Sequence, residues 1–403
     1  MCDISALSTI PHTKWNVDIL LIQADGTHPN LALLKIARHH WNLGDTLTLQ
    51  RGLKTSTKPY DLVYISCIFS KNRDVTLGLA KKFPGSEVHV GGCGIDLTTN
   101  LPDEIEHLMP YYDLYPDCNF SMGYTSRGCP RNCEFCIVPE KEGKVRPVAD
   151  IYEFWDHRHG HIVLMDNNLL ALPDHFKKIV SQIKENNLSV DFNQALDIRL
   201  LTEENAKLLR SIRVKPSLRF SWDNIKDEDE VVEGVRILKS AGINRSQFFV
   251  LSGFNSTFED DLYRLNKLRI WKQIPYLMRF ESVYNKYPYI LLAMWANQPH
   301  IFYKMTFEEF VRHRNYVIWG KKFTCTQCGY EWNSDLADPK RCPKCDSKNW
   351  RRKIRPPTVY LRDNKYYYAT WVQDGKTRNF YLGNSKNMTL EKARKKALEM
   401  KTA

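Results

Sequence analysis

Short apolar runs alternate with stretches of helical period along most of the chain. Segment 17–22 (Val-Asp-Ile-Leu-Leu-Ile) reads as a strand, a turn follows at Asp25-Gly26, and 31–43 has apolar residues at helical spacing before Gly44. Further strand patterns at 62–66 and 87–90, the second running into Gly91-Gly92, complete a strand–helix–strand–helix–strand series. Such a series predicts an α/β fold: a small doubly wound parallel sheet covered by helices. Its ligands would be taken at the loops following the strands, here 25–30, 66–70 and 91–96.

From 120 to about 278 the alternation continues. Strands are predicted at 120–124, 161–165, 190–193, 218–222, 248–251 and 276–279, with amphipathic helices at 173–186, 203–212, 228–241 and 258–271 between them. Six parallel strands in βα units predict a partial (β/α)6 barrel, whose active site lies at the C-terminal strand ends. After about residue 320 the texture changes. Three short strand patterns at 358–362, 366–372 and 378–382 have turns at Asp363-Asn364 and Asp374-Gly375, and a helix follows with Thr389 as its N-cap. The expected domains are 16–115 (the small sheet), 116–320 (the partial barrel), 321–350 (a cysteine module) and 351–403 (three strands and a helix).

The 403 residues, 43% of them apolar, are enough for several cores. The net charge of +12 is concentrated: residues 321–403 hold 20 Lys and Arg against 8 Asp and Glu, and the preceding 320 residues balance. A localised basic module is the electrostatic footprint of a nucleic-acid partner, or less often of an anionic membrane surface. The longest apolar run, 289–296, is too short to span a bilayer, and 1–16 lacks a basic-then-apolar signal pattern, so no membrane partner is expected. Seven of the eleven cysteines fall in two metal-type clusters rather than a disulfide framework, which predicts a reducing, cytoplasmic setting.

The first cluster is Arg127-Gly-Cys-Pro-Arg-Asn-Cys-Glu-Phe-Cys136, placing Cys129, Cys133 and Cys136 at CxxxCxxC spacing just after the first barrel strand. Three close thiolates suit three irons of a 4Fe–4S cluster and leave the fourth iron open for chemistry. A closed four-ligand site completed by Cys118 is the alternative. The second cluster, Cys325, Cys328, Cys342 and Cys345, is a pair of CxxC knuckles suited to tetrahedral zinc, with a rubredoxin-like iron as the minority reading.

The Cys129–Cys133–Cys136 loop resembles the signature of the radical S-adenosylmethionine (radical SAM) superfamily, over about 120–279. The resemblance implies a 4Fe–4S cluster, S-adenosylmethionine on its open iron, an electron donor to the cluster, and a 5′-deoxyadenosyl radical that abstracts hydrogen from substrate. Carried onto this chain, it implies that Phe135 packs beside the cluster and near the adenine. Asp166 and Asn168, in Met165-Asp-Asn-Asn168, would hold the methionine ammonium. Gln194, Asp197, Arg199, Ser221 and Asp223 would supply ribose and carboxylate contacts, and Ser252 would approach the adenine. Each of these polar residues equally suits a helix cap or a turn.

Two resemblances compete in 16–115. Ser66-Cys-Ile68 and Gly91-Gly92 are similar to elements of cobalamin-binding domains, which implies cobalamin as a further cofactor. Ile65-Ser-Cys67, Val90-Gly-Gly-Cys93 and Cys136-Ile-Val-Pro139 are similar to methylthiotransferases, which carry a second cluster; Cys67 and Cys93 as buried apolar residues is the plainer alternative. Segment 321–350 resembles a zinc ribbon. Segment 351–403, with Tyr381-Leu-Gly383 and Thr389-x-Glu391-x-Ala393, resembles the arm-type DNA-binding domains of phage integrases, which implies nucleic-acid binding through this segment. Its aromatics equally suit the core of a tiny domain. His157, His159 and His161 alternate, as strand-borne metal ligands would.

These readings converge on a radical SAM enzyme that modifies a nucleic acid, by methylation, methylthiolation or another C–H functionalisation. A radical SAM enzyme for a small molecule or peptide with a nucleic-acid tether, and a non-catalytic iron–sulfur nucleic-acid-binding scaffold, remain open beside it. The sequence does not specify an oligomeric state.

Overall fold

The structure, a computed structural model, describes residues 16–54, 58–314, 316–336, 338–351, 356–373 and 376–402. Residues 1–15, which include Cys2, the basic run 352–355 and the expected turn at 374–375 lie outside the described residues. The chain divides into two units, Met1–Asn285 with Leu292–Tyr303, and Lys286–Leu291 with Lys304–Ala403. The fold is mixed α/β with parallel sheets.

In the first unit, β1 (Asp18–Gln23), α1 (Leu31–Asn42), β2 (Thr46–Arg51), β3 (Leu62–Ser66), α2 (Arg73–Ala80) and β4 (Glu87–Gly91) build a parallel sheet in the order β2-β1-β3-β4. Alternate residues of β1 feed two cores. Ile19 and Leu21 pack with Leu33, Leu34 and Ala37 of α1, while Leu20 and Ile22 pack with Val63, Ile65 and Leu79. Burial on both faces explains the continuous apolar run of β1. Asn30 starts α1, its side chain accepting from the Leu33 N–H. The edge strand β2 is not among the strands expected from sequence. Its Thr-Leu-Thr-Leu alternation follows α1 after a short turn, and Leu47 and Leu49 are only partly buried.

After α3 (Asp103–Glu106), the chain forms β5 (Ser121–Gly123) and the short antiparallel pair β6 (Ser126–Arg127) and β7 (Arg146–Pro147), with α4 (Val138–Lys141) between them. It continues through β8 (His161–Leu164), α5 (Pro173–Glu185), β9 (Ser189–Phe192), α6 (Glu203–Arg210), β10 (Arg213–Val214), β11 (Arg219–Ser221), α7 (Glu228–Ser240), β12 (Gln247–Ser252), α8 (Phe258–Ile270) and β13 (Ile274–Arg279). Two parallel sheets result, β10-β9-β8-β5 and β11-β12-β13, and a parallel bridge between Leu196 and Phe220 lies between them. The α5 to α8 ranges match the expected helices to within two residues at each end. Met122 of β5 and Val163 of β8 join the apolar cluster that holds Ile19, Leu33 and Tyr64. The first sheet and β5–β8 therefore share a core.

The helices α9 (Tyr287–Ala296) and α10 (Pro299–Phe302) follow. In the second unit, α11 (Phe307–His313) leads to the antiparallel pair β14 (Tyr316–Thr324) and β15 (Glu331–Leu336). Next come an antiparallel sheet of β16 (Thr358–Arg362), β17 (Tyr366–Gln373) and β18 (Lys376–Asn384), then α12 (Leu390–Thr402). Thr389 caps α12 as expected, accepting from the Lys392 N–H at 3.3 Å. Ala369, Trp371 and Leu382 of the sheet pack on Ala393 and Ala397 of the helix. Among the described residues, no helix is long and apolar enough to cross a membrane.

Candidate metal centres and cofactor cavity

The cysteine loop starts at the C-terminal end of β5 and is closed at its base by the β6–β7 pair. Gly128 has φ +83°, and a Cβ there would stand 2.4 Å from the Lys144 carbonyl oxygen and 2.6 Å from that of Gly143. Glycine is therefore required where the chain turns into Cys129. The Gly128 N–H donates to Asn167 Oδ1 at 2.9 Å, and the Cys129 N–H donates to the Gly143 carbonyl.

Asp166, in the loop after β8, is buried and faces this base. Its carboxylate accepts from the Thr125 hydroxyl at 2.7 Å, the Ser126 hydroxyl at 2.6 Å and both backbone N–H groups. Burial holds its pKa above the ordinary value despite these donors. It anchors the root of the loop. Asn168, equally buried, donates from Nδ2 to Cys129 Sγ at 3.4 Å and to Asp197 Oδ2 at 3.3 Å. Its Oδ1 is buried without a hydrogen-bond partner. The Arg131 N–H also donates to Cys129 Sγ at 3.4 Å.

Asp197 gathers the neighbouring charges. It pairs with Arg131 Nε at 2.9 Å and with Arg199 Nε at 2.7 Å, while Arg199 reaches Asp227 at 3.0 Å. Burial alone would raise the Asp197 pKa, but Arg199 and Arg131 outweigh it and hold the carboxyl below its ordinary range. Burial pushes the Cys133 thiol up, against the opposing pull of Arg199. A positive metal centre would reverse that penalty by favouring the thiolate.

Beside Cys133 lies a cavity of about 260 Å³, lined by Phe135, Arg199, Ser221, Asp223 and Phe254 among others. Five sequence-expected residues therefore meet there: Cys133, Phe135, Arg199, Ser221 and Asp223. Burial raises the Asp223 pKa, and its Oδ1 accepts from the Leu251 N–H at 2.9 Å. On the far wall, Phe254 and Asn255 extend the loop after β12, of which only Ser252 is expected near the adenine from sequence. Phe254 stands edge-on to Phe135 at 5.3 Å, and Asn255 Nδ2 donates to Glu134 Oε2 at 3.0 Å, tying the loop after β12 to the cysteine loop. Its sequence signal is Gly253, at φ +75°, immediately after a strand. Two further expected residues are not among those lining this cavity: Gln194 is exposed, and Ser252 is fully buried with its hydroxyl donating to the Met278 carbonyl at 3.1 Å.

Cys325, Cys328, Cys342 and Cys345 present sulfurs all within 4.8 Å of one another and could bind a metal such as zinc. Zn–S bonds of roughly 2.3 Å in a tetrahedron require sulfurs roughly 3.8 Å apart. The structure has Cys325 and Cys345 at 3.8 Å, and Cys328 and Cys342 at 3.7 Å. Each knuckle ends in a left-handed residue, Gly329 at φ +69° and Asp346 at φ +53°. Among the described residues no other group of three metal-ligating side chains converges so closely.

At the C-terminal ends of β1, β3 and β4, the polar groups pair with one another. Asp25 accepts from the Ile68 and Phe69 N–H groups at 2.8 and 3.1 Å and from Asn72 Nδ2 at 2.8 Å, while Asn30 Nδ2 donates to Ser66 Oγ. Gly92 and Gly94 lie so close to Cys67 and Phe69 that a Cβ on either would meet backbone atoms within 3.0 Å. His28 is exposed, edge-on to Phe120. Cys67 is buried, as the plainer reading expects, whereas Cys93 is exposed and is no core residue. The alternate histidines do not converge. His157 packs on Trp155, His159 bonds Ser121 Oγ at 3.0 Å, and His161 bonds Ser189.

No protein-family model matches the chain, and no curated protein matches it.

Proposed function

We propose that this chain is a radical SAM enzyme that modifies a nucleic acid. The observation that carries the reading is the placement of Cys129, Cys133 and Cys136 at the end of a parallel strand, beside a cavity walled by the loops after later strands. The two parallel sheets with the Leu196–Phe220 bridge are in keeping with a partial (β/α)6 barrel open at that end. When bound, a reduced 4Fe–4S cluster supplies the electron that cleaves S-adenosylmethionine to a 5′-deoxyadenosyl radical.

The chain's own residues have separable tasks. The three cysteines would ligate the irons, and the Asn168 and Arg131 N–H groups soften the charge on the Cys129 sulfur. Asn168 Oδ1, buried and unpartnered, suits a cationic donor such as the methionine ammonium. Arg199, bordering the cavity, suits the methionine carboxylate, while Phe135 and Phe254 offer apolar faces for the adenine. Asp166 is assigned to loop anchoring, because four donors already engage its carboxylate. Zinc at the four-cysteine site would be structural, in a zinc-ribbon role.

Cobalamin is left out of the reading. The crevice that would receive it has its polar groups paired with one another. The nucleic-acid assignment rests on the charge of residues 321–403, where the entire excess resides.

The test is anaerobic reconstitution with iron and sulfide, reduction, and addition of S-adenosylmethionine. 5′-Deoxyadenosine should form and should vanish with Cys129→Ala. A loaded, reduced cluster that releases none, with or without polynucleotide, would overturn the enzymatic reading and favour a scaffold role.

A further inference from the structure

The sheet of β16, β17 and β18 has two unlike faces. One is covered: Ala369, Trp371 and Leu382 pack on α12, and Phe380 stacks on Trp371 at 3.7 Å. The other face carries four tyrosines, because Tyr360, Tyr366, Tyr368 and Tyr381 occupy alternating positions on the three strands. A register shift between Tyr367 and Tyr368 sets Tyr381 opposite Tyr368. Ring centroids are 6.1 Å apart for Tyr360 and Tyr368, 5.5 Å for Tyr368 and Tyr381, and 6.0 Å for Tyr366 and Tyr381.

An open antiparallel face is ordinarily polar. Here Tyr360, Tyr366 and Tyr381 are 38%, 37% and 53% exposed, and the Arg362 guanidinium lies 5.8 Å from the Tyr368 ring. The centre of the face is therefore aromatic, with an arginine at its side, inside a segment of strongly positive charge. A surface that only grips a duplex backbone needs cations and hydrogen-bond donors rather than a continuous aromatic floor. Tyrosine rings offer stacking faces to any unpaired base, and the surrounding positive charge attracts the backbone.

We infer that this face binds a single-stranded or looped-out nucleic-acid segment, with unpaired bases stacked on Tyr368 and Tyr381. The inference rests on the nucleic-acid reading above and narrows it to unpaired bases. The resemblance to integrase arm-type domains implies duplex DNA instead, so the two can be separated.

The experiment measures fluorescence anisotropy of full-length protein with a labelled single-stranded oligonucleotide of about 12 nucleotides, a length within known single-strand site sizes, and with its duplex. The single strand should bind more tightly. Tyr381→Ala should weaken it roughly tenfold, the loss of one stacked base, while Tyr381→Phe, which keeps the ring, should leave it unchanged. A preserved near-ultraviolet signal from the Trp371–Phe380 stack checks that the sheet is intact. Tighter duplex binding, or single-strand binding indifferent to both Tyr368→Ala and Tyr381→Ala, overturns the inference and leaves the broader reading standing. Binding to neither probe overturns both.

Discussion

The side-chain amide of Asn168 bridges Cys129 and Asp197, its Nδ2 lying 3.4 Å from the sulfur and 3.3 Å from the carboxylate. Those two neighbours fix the amide orientation, since a flip would turn Oδ1 onto a carboxylate and a sulfur together. Hydrogen bonds to ligating sulfurs stabilise the more negative, reduced cluster and raise its potential. Asn168→Ala should therefore shift the reduction potential of the reconstituted cluster to more negative values, by on the order of 59 mV if the bond is worth a factor of ten in the one-electron equilibrium. A redox titration followed by electron paramagnetic resonance reads this directly. An unchanged potential would show that the Nδ2 contact to Cys129 does not tune the cluster.

Gly128→Ala forces a Cβ against the Gly143 and Lys144 carbonyls at a left-handed backbone position. The turn into Cys129 must then open, at a cost of more than about 1 kcal/mol. Iron bound after reconstitution should fall well below that of the parent chain while zinc content stays the same. Metal analysis of the purified variant tests both halves.

Glu106 holds Lys35 at 3.1 Å and Arg127 at 2.6 Å, linking α3 to the root of the cysteine loop. Burial would raise its pKa, but the two cations outweigh burial and keep it below the ordinary 4.5. The group is depressed in the folded state, so its stabilisation is complete above pH 4.5 and is lost as pH falls through the folded-state pKa. Glu106→Gln should lower stability near neutral pH by about 2 kcal/mol and flatten the acid limb of the stability profile. Chemical denaturation at a series of pH values provides the check.

Cys325 and Cys342 are buried with Phe323 and Trp350 in one small core, against which the half-buried Trp332 packs. Trp350 stands edge-on to Trp332 at 4.9 Å. In protein loaded with zinc, chelation, or Cys342→Ser, should lower the zinc content and release these rings, with a red shift of tryptophan emission. A structural zinc predicts that returning metal to the chelated protein restores the spectrum.

Much of this was legible in the sequence, for physical reasons. Cys129, Cys133 and Cys136 announce themselves by spacing, and the period of the following segments places them at a strand end. The CxxC knuckles are equally local, each needing only a short turn and a left-handed residue after the second cysteine. Directions were harder to read. Asp166 and Asn168 are two residues apart, yet one faces Thr125 and Ser126 and the other faces Cys129. That choice depends on how β5 and β8 pair, which is a long-range fact. Phe254 and Asn255 escaped notice because their role exists only opposite Phe135 and Glu134 across the cavity. The edge strand β2 was hidden by its short, half-covered pattern.

The apolar cluster that holds Met122 and Val163 together with Ile19, Leu33 and Tyr64 has a practical consequence. A fragment cut to begin just before β5 would carry the complete cysteine loop and every wall of the cavity. It would also carry a raw hydrophobic flank, and Arg127 would be stripped of its Glu106 partner. Such a truncation exposes what the first sheet covers, and it invites aggregation before any iron is bound. A piece meant to assemble the proposed cluster should therefore begin with β1.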